Sequence, residues 1–145
     1  QYKAKLEQIR DDLPRKVDII MQNNARNIIG QFKLRLYNKG TDGEGKLIGR
    51  YTQKTVYSKK KKVQKTSFVT LKDTGDFYGS LFLAKRGENY EITSSDPKVE
   101  RLFEQYGDSI LDLTEQEIAK IISDIIVPQL NQILYDFSDD LVIKL

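Results

Sequence analysis

The stretch that decides the fold is LFLAKRGENYEITS, residues 81–94. In its second half Tyr90 and Ile92 alternate with Glu91 and Thr93, the period-two pattern of a strand with one face buried. Gly87-Glu88-Asn89 supplies turn residues between two short runs, so residues 81–86 and 89–94 read as the arms of an antiparallel hairpin. Just upstream, SFVTLK (residues 67–72) mixes β-branched and aromatic residues and reads as a further short strand. Thr74 is placed to cap a short inserted helix over residues 75–80, with Phe77 and Leu81 pointing inward.

Outward from this β-centre the pattern turns helical on both sides. Residues 3–38 carry Leu6, Ile9 and Leu13 at helical spacing. Pro14 then interrupts, because an interior proline removes a backbone donor and clashes with the preceding turn. A second, longer helix follows, with Val17, Ile20, Met21, Ala25, Ile28, Phe32 and Leu36 in one apolar stripe. GTDGEG (residues 40–45) ends it. On the other side, Ser95-Asp96-Pro97 opens a helix that carries Val99, Leu102, Phe103 and Tyr106 on one face, and Gly107 is its left-handed stop. Ile110–Leu113 is a short apolar connector. Thr114-Glu115-Gln116-Glu117 is a capping box, in which the Thr hydroxyl and the Glu carboxylate each satisfy a free backbone amide. The last helix runs to about Phe137, and Pro128 is expected to kink it near Asp124. Ile121, Ile122, Ile125 and Ile126 lie on more than one side of that helix, which favours burial against two layers or against a partner subunit. The apolar tail Leu141-Val142-Ile143-Lys144-Leu145 either adds a strand or docks on a neighbour.

These readings give an α+β fold. Long N-terminal and C-terminal helices pack on a small, mostly antiparallel sheet, with a short inserted helix and a long basic loop. The 145 residues are read as a single domain. Within it lie a helical segment (1–38), a basic loop or arm (40–66), an α+β core (67–137) and a C-terminal tail (138–145).

Composition narrows the chemistry. The chain has no Cys and no His, which removes the usual zinc, haem, thiol and Ser-His-Asp chemistries. No cofactor or metal is expected, and the chain does not read as an enzyme. Apolar runs such as Ile125–Val127 fall far short of the roughly 20 residues that span a bilayer, so no membrane partner is expected. Net charge is +3, but it is unevenly spread: residues 1–72 carry 18 basic and 6 acidic side chains (+12), and residues 73–145 carry 6 and 15 (−9). This asymmetry fits a basic face that meets an anionic partner, or a bipolar protein that stacks on copies of itself. It also fits two halves whose charges mingle on one surface.

The basic charge is densest in residues 46–66, KLIGRYTQKTVYSKKKKVQKT, with eight Lys or Arg and no acid. Arg50, Lys54, Lys59, Lys60, Lys61, Lys62 and Lys65 are therefore the candidate contacts to nucleic acid or to another subunit, with Tyr51 and Tyr57 interleaved. A solvated loop that merely aids solubility fits the same residues. Leu141, Val142, Ile143 and Leu145 are the candidate subunit interface. Asp73-Thr74-Gly75-Asp76 reads as a turn plus a cap. An aspartic-protease reading fails, since that site needs a second facing Asp and flanking strands. Glu91, Asp96, Glu100 and Glu104 lack the converging Lys that a metal-dependent nuclease site needs.

Three segments carry a resemblance. Thr70–Leu81 (TLKDTGDFYGSL) resembles a segment of phage virion morphogenesis proteins, the small tail-completion, neck or head–tail joining proteins of tailed phages. Ser95-Asp96-Pro97-Lys98 together with Tyr106–Glu115 (YGDSILDLTE) resembles a block found in phage and prophage proteins of Bacteroidetes-type hosts. Gly45–Thr52 (GKLIGRYT) resembles a loop of the same proteins. Asp112 departs from that pattern, which has Gly there. The resemblance implies a structural virion protein made in the host cytoplasm: a ring subunit joining the portal or head-completion proteins to the tail. Its partners would be copies of itself, portal or adaptor and tail proteins, and genomic DNA in the lumen. A nucleic-acid-binding accessory protein that acts through the basic arm is the alternative.

Overall fold

A computed structural model describes residues 2–62, 64, 66–73 and 75–144, the side chains of residues 2, 5, 6, 9 and 137–144 excepted. The chain is mixed helix and sheet. Helices α1 (Tyr2–Asn23), α2 (Ala25–Lys39), α3 (Gln53–Lys61) and α4 (Asp76–Gly79) precede strands β1 (Leu81–Arg86) and β2 (Asn89–Ser94). Helix α5 (Val99–Tyr106), a 3₁₀ turn (Asp108–Leu111), α6 (Glu115–Ile121), a π-turn (Ile122–Ile126) and α7 (Val127–Lys144) follow. The chain, read in sequence as one domain, forms two compact units: residues 1–25 with 118–145, and residues 26–117.

The second unit is built around the hairpin. β1 and β2 pair antiparallel in the register Leu81↔Ser94 through Arg86↔Asn89, so residues 81–86 and 89–94 are the strands that the sequence marks. Gly87 has φ +63° and Glu88 does not share a positive φ. A positive φ at the first loop residue alone is the signature of a II′ turn, whose twist matches that of the strands. Leu81 and Leu83 face inward from β1, opposite Ile92 from β2. They join Ile28, Phe32 and Leu36 of α2, Phe77 of α4, and Ile110 and Leu111 of the 3₁₀ turn in the core. Phe32 and Leu36 are wholly inaccessible to solvent, and each contributes about 1.5–3 kcal/mol of burial.

A single arginine ties the margins of this core together. Arg35 reaches from α2 to pair with Glu117 at 3.0 Å, with only 10% of its side chain exposed. It also donates to the carbonyls of Thr41, Asp42 (2.8 Å) and Asp112 (2.9 Å). Glu117 in turn completes the expected capping box: its Oε1 accepts from Thr114 N at 2.9 Å, and Thr114 Oγ1 accepts from Glu117 N at 3.1 Å. The turn that Arg35 grips is itself closed by Asp42, whose Oδ1 accepts from the amides of Glu44 and Lys46 at 2.9 and 3.0 Å. Gly40 sits in the left-handed region at φ +59°, and a Cβ there would lie 2.2 Å from the Phe68 ring.

In the first unit the end helices pack on each other: α1 meets the π-turn and α7. Ile20, Met21, Ile121 and Ile125 are buried. Pro14 does not divide α1, which runs through it. The break comes instead at Asn24, whose Nδ2 donates to the Ile20 carbonyl at 2.7 Å, the acceptor also used by its own backbone N–H at 3.1 Å. Pro128 acts where expected, although by a different device. It has no N–H to give and would clash with the Asp124 carbonyl. The helix relieves this with the π-turn, in which Val127 N–H reaches back five residues to Ile122 O.

Three further expectations are corrected. Residues 67–72 are not a strand, because Leu71 has φ +60°, which breaks an extended run. The basic stretch is not a free arm throughout, since residues 53–61 form α3, capped by Thr52 Oγ1 accepting from Thr55 N at 3.3 Å. The chain is helical to Lys144, and no strand forms in the described part of the tail. Thr74, the expected cap of α4, lies outside the described residues.

Candidate functional site

The site is built on a buried tyrosine–threonine node. Thr70 is 1% exposed. Its N–H donates to Tyr51 Oη at 2.9 Å, and its carbonyl accepts from Tyr78 Oη. Burial pushes the Tyr78 hydroxyl well above its usual range, so it stays a neutral donor. This node fixes the segment 69–73 in place of the strand ladder it lacks. Gly49 completes the arrangement: its carbonyl accepts from Val69 N at 2.9 Å, and it packs beside the Tyr106 ring.

Around the node opens a cleft of about 590 Å³. One wall is α3, the opposite wall α5, and the floor comes from Tyr51, Val69, Leu71, Leu102 and Tyr106. Six basic side chains line it: Lys54, Lys59, Lys62, Lys72, Lys98 and Arg101; the acidic lining residue is Asp73. Asp73 is taken up by Lys62 at 3.2 Å, and that hydrogen bond holds its carboxyl below the usual carboxylate range. Lys98 pairs more loosely with Asp96, at 3.6 Å. Among the described residues, Lys54, Lys72 and Arg101 form no ion pair. Lys72 is instead poised over the Tyr37 ring at 4.9 Å and the Tyr78 ring at 5.8 Å, contacts that orient an ammonium without neutralising it. Burial, with Tyr51 beside it, raises the Tyr106 hydroxyl above its usual range, so it adds no negative charge to the floor.

The structure sorts the sequence candidates. Lys59 turns inward: it is 6% exposed, donates to the Lys72 carbonyl at 2.6 Å and lies 4.6 Å over the Tyr51 ring. It is a peg that fastens α3 to the segment 69–73. Lys54 and Lys62 line the cleft, whereas Lys60 and Lys61 are exposed outside its lining, Lys61 over Tyr57 at 4.7 Å. Arg50 is exposed and donates weakly to Ser67 O at 3.5 Å. Lys65 and Leu145 lie outside the described residues, as do the side chains of Leu141, Val142 and Ile143. Reading the sequence missed Lys72, Lys98 and Arg101, which reach the cleft only through folding. The local hints were Lys72 and Lys98, both inside quoted segments but not weighed for their charge.

The first unit offers a different surface. Ile118, Ile122, Val127 and Leu134 are each 43–46% exposed. The π-turn brings Val127 beneath Ile122, and Leu134 follows two α-turns later, so these residues continue one stripe. Among the described residues, no group of three or more Asp and Glu could hold a metal ion, and no helix is long and apolar enough to cross a membrane.

Comparison with family models, curated proteins and solved structures finds no match for this chain.

Proposed function

We propose that this chain is a structural protein of a tailed-phage virion: a subunit of a neck or tail-completion ring that joins the portal or head-completion proteins to the tail. The observation that carries the reading is the water-exposed apolar stripe of Ile118, Ile122, Val127 and Leu134. A contiguous exposed apolar surface marks a protein contact site. In a ring each subunit offers one patch to a different patch on its neighbour, and the rotation closes. A second support is the meeting of all three resemblance segments. Thr70 and Tyr78 come from the first, Lys98 and Tyr106 from the second, and Gly49 and Tyr51 from the third, and all converge around the Thr70 node. The opposite charge of the two sequence halves, +12 and −9, suits contacts between unlike faces.

The test is mass spectrometry of purified particles from the phage or prophage that encodes the chain, followed by cryo-electron microscopy of the neck. The expected result is the chain present in fixed copy number per virion and located between portal and tail. Its absence from infectious particles overturns the reading.

A further inference from the structure

We propose that the cleft between α3 and α5 is a binding site for single-stranded nucleic acid, gripped through its phosphates. This site is separate from the exposed stripe and stands whether or not the chain assembles into a ring.

The argument begins with charge that the fold gathers and only partly neutralises. Lys54 from α3, Lys72 from the segment after Thr70 and Arg101 from the α5 wall carry no ion pair among the described residues, and Lys62 and Lys98, each beside an aspartate, stand with them. The lining acid Asp73 is already satisfied by Lys62, so it cannot balance Lys54, Lys72 or Arg101. These like charges repel one another, and a bound anion removes that penalty. Their placement also selects the kind of anion. Cations stand on both walls of a cleft of about 590 Å³, so the partner must enter it. A duplex carries its phosphates on the outside of a stiff rod and touches only the rims, whereas a single strand threads between the walls.

The floor supplies the second half of the recognition. Tyr51, Leu71, Leu102 and Tyr106 present apolar surface beneath the cationic walls. Aromatic rings below a basic groove are the usual platform for unpaired bases, and they stack without sequence preference. Four of these five cleft cations are lysines. An ammonium is a compact point charge that meets a phosphate without a fixed bidentate geometry. An acidic peptide is the weaker fit because its carboxylates would satisfy the cations while bringing no bases to the aromatic floor.

The experiment is fluorescence anisotropy of a labelled oligo(dT) titrated with the full chain over a range of salt concentrations. Two charge-matched variants are compared, with folding checked by circular dichroism: Lys54→Glu with Arg101→Glu in the cleft, and Lys39→Glu with Lys120→Glu, exposed residues that do not line it. Should the first pair unfold, Lys54→Gln with Arg101→Gln replaces it. The wild-type chain is expected to bind with strong salt dependence. The cleft pair should lose at least roughly tenfold in affinity and about 1.4 from the slope of log K against log salt, about 0.7 per lost phosphate contact. The outside pair should change less than about twofold. Equal losses in both pairs, tighter binding of a duplex than of the oligonucleotide, displacement by poly-glutamate at matched charge, or no binding by the wild-type chain each overturn the proposal.

Discussion

The two units spend their apolar residues differently. Among the described residues, the unit of residues 26–117 buries thirteen apolar side chains and exposes five large ones, while the unit of the two chain ends buries four and exposes six. The unit of residues 26–117 also holds its margins with specific polar ties: the Arg35 clamp, the Thr114–Glu117 capping box and the Thr70 node. The unit of the chain ends relies on helix against helix, with Pro14 carried inside α1 and Pro128 accommodated by the π-turn. The difference teaches a division of labour. One unit is finished by its own contacts, and the other leaves surface that a neighbour can complete.

Removing Arg35 strikes that contrast hardest. Arg35→Ala leaves Glu117 without its guanidinium and three carbonyls without their donor. A loss of about 3–5 kcal/mol is expected in chemical denaturation, the usual result of orphaning one member of a buried pair. A loss below about 1 kcal/mol would remove the reason for calling this unit self-sufficient. In the other unit the opposite sign is expected. Pro14 lies inside α1, so Pro14→Ala restores a helix donor and should stabilise by about 1–3 kcal/mol, read as a raised denaturation midpoint.

A subtler probe is pH. Tyr78 titrates higher in the folded chain than when unfolded. Its contribution is therefore fully present below the unfolded value of about 10 and is lost as pH rises beyond it, because only the unfolded state then releases the proton. Tyr78→Phe should cost about 1 kcal/mol at neutral pH, for the lost bond to Thr70, and flatten the alkaline fall. The smallest effect on stability is expected on the exposed stripe. Ile122→Ser with Val127→Ser should change unfolding by no more than about 0.5 kcal/mol. Self-association of the chain, followed by light scattering at high concentration, should nevertheless be lost. A large destabilisation would mean that the stripe serves the fold instead.

Much of the fold was legible because its signals are local. The hairpin, the capping box, the Gly107 stop and the apolar spacing of Ile28, Phe32 and Leu36 each need only a short window of sequence, whereas the single helix expected from Val17 to Leu36 is broken at Asn24. What escaped needed the third dimension. Helix α3 lacks an amphipathic pattern, since its buried contact is the lysine Lys59, which a sequence reader assigns to solvent. The strand expected at residues 67–72 has the right composition, yet two tyrosine hydroxyls take the backbone bonds that a strand would offer a partner. The cleft was half visible: Lys54 and Lys62 stood in the basic run, while Lys72, Lys98 and Arg101 lie 10 to 39 residues beyond Lys62 and converge only once α5 is packed.

The π-turn has a further consequence. It holds one residue more than an α-helix needs over the same span, so the helix beyond it keeps the azimuth of the helix before it. Five residues of regular α-helix would turn Val127 about 140° away from Ile122. The extra residue is thus a spacer: it keeps one face of the C-terminal rod in line across a proline that an unbroken α-helix could not carry.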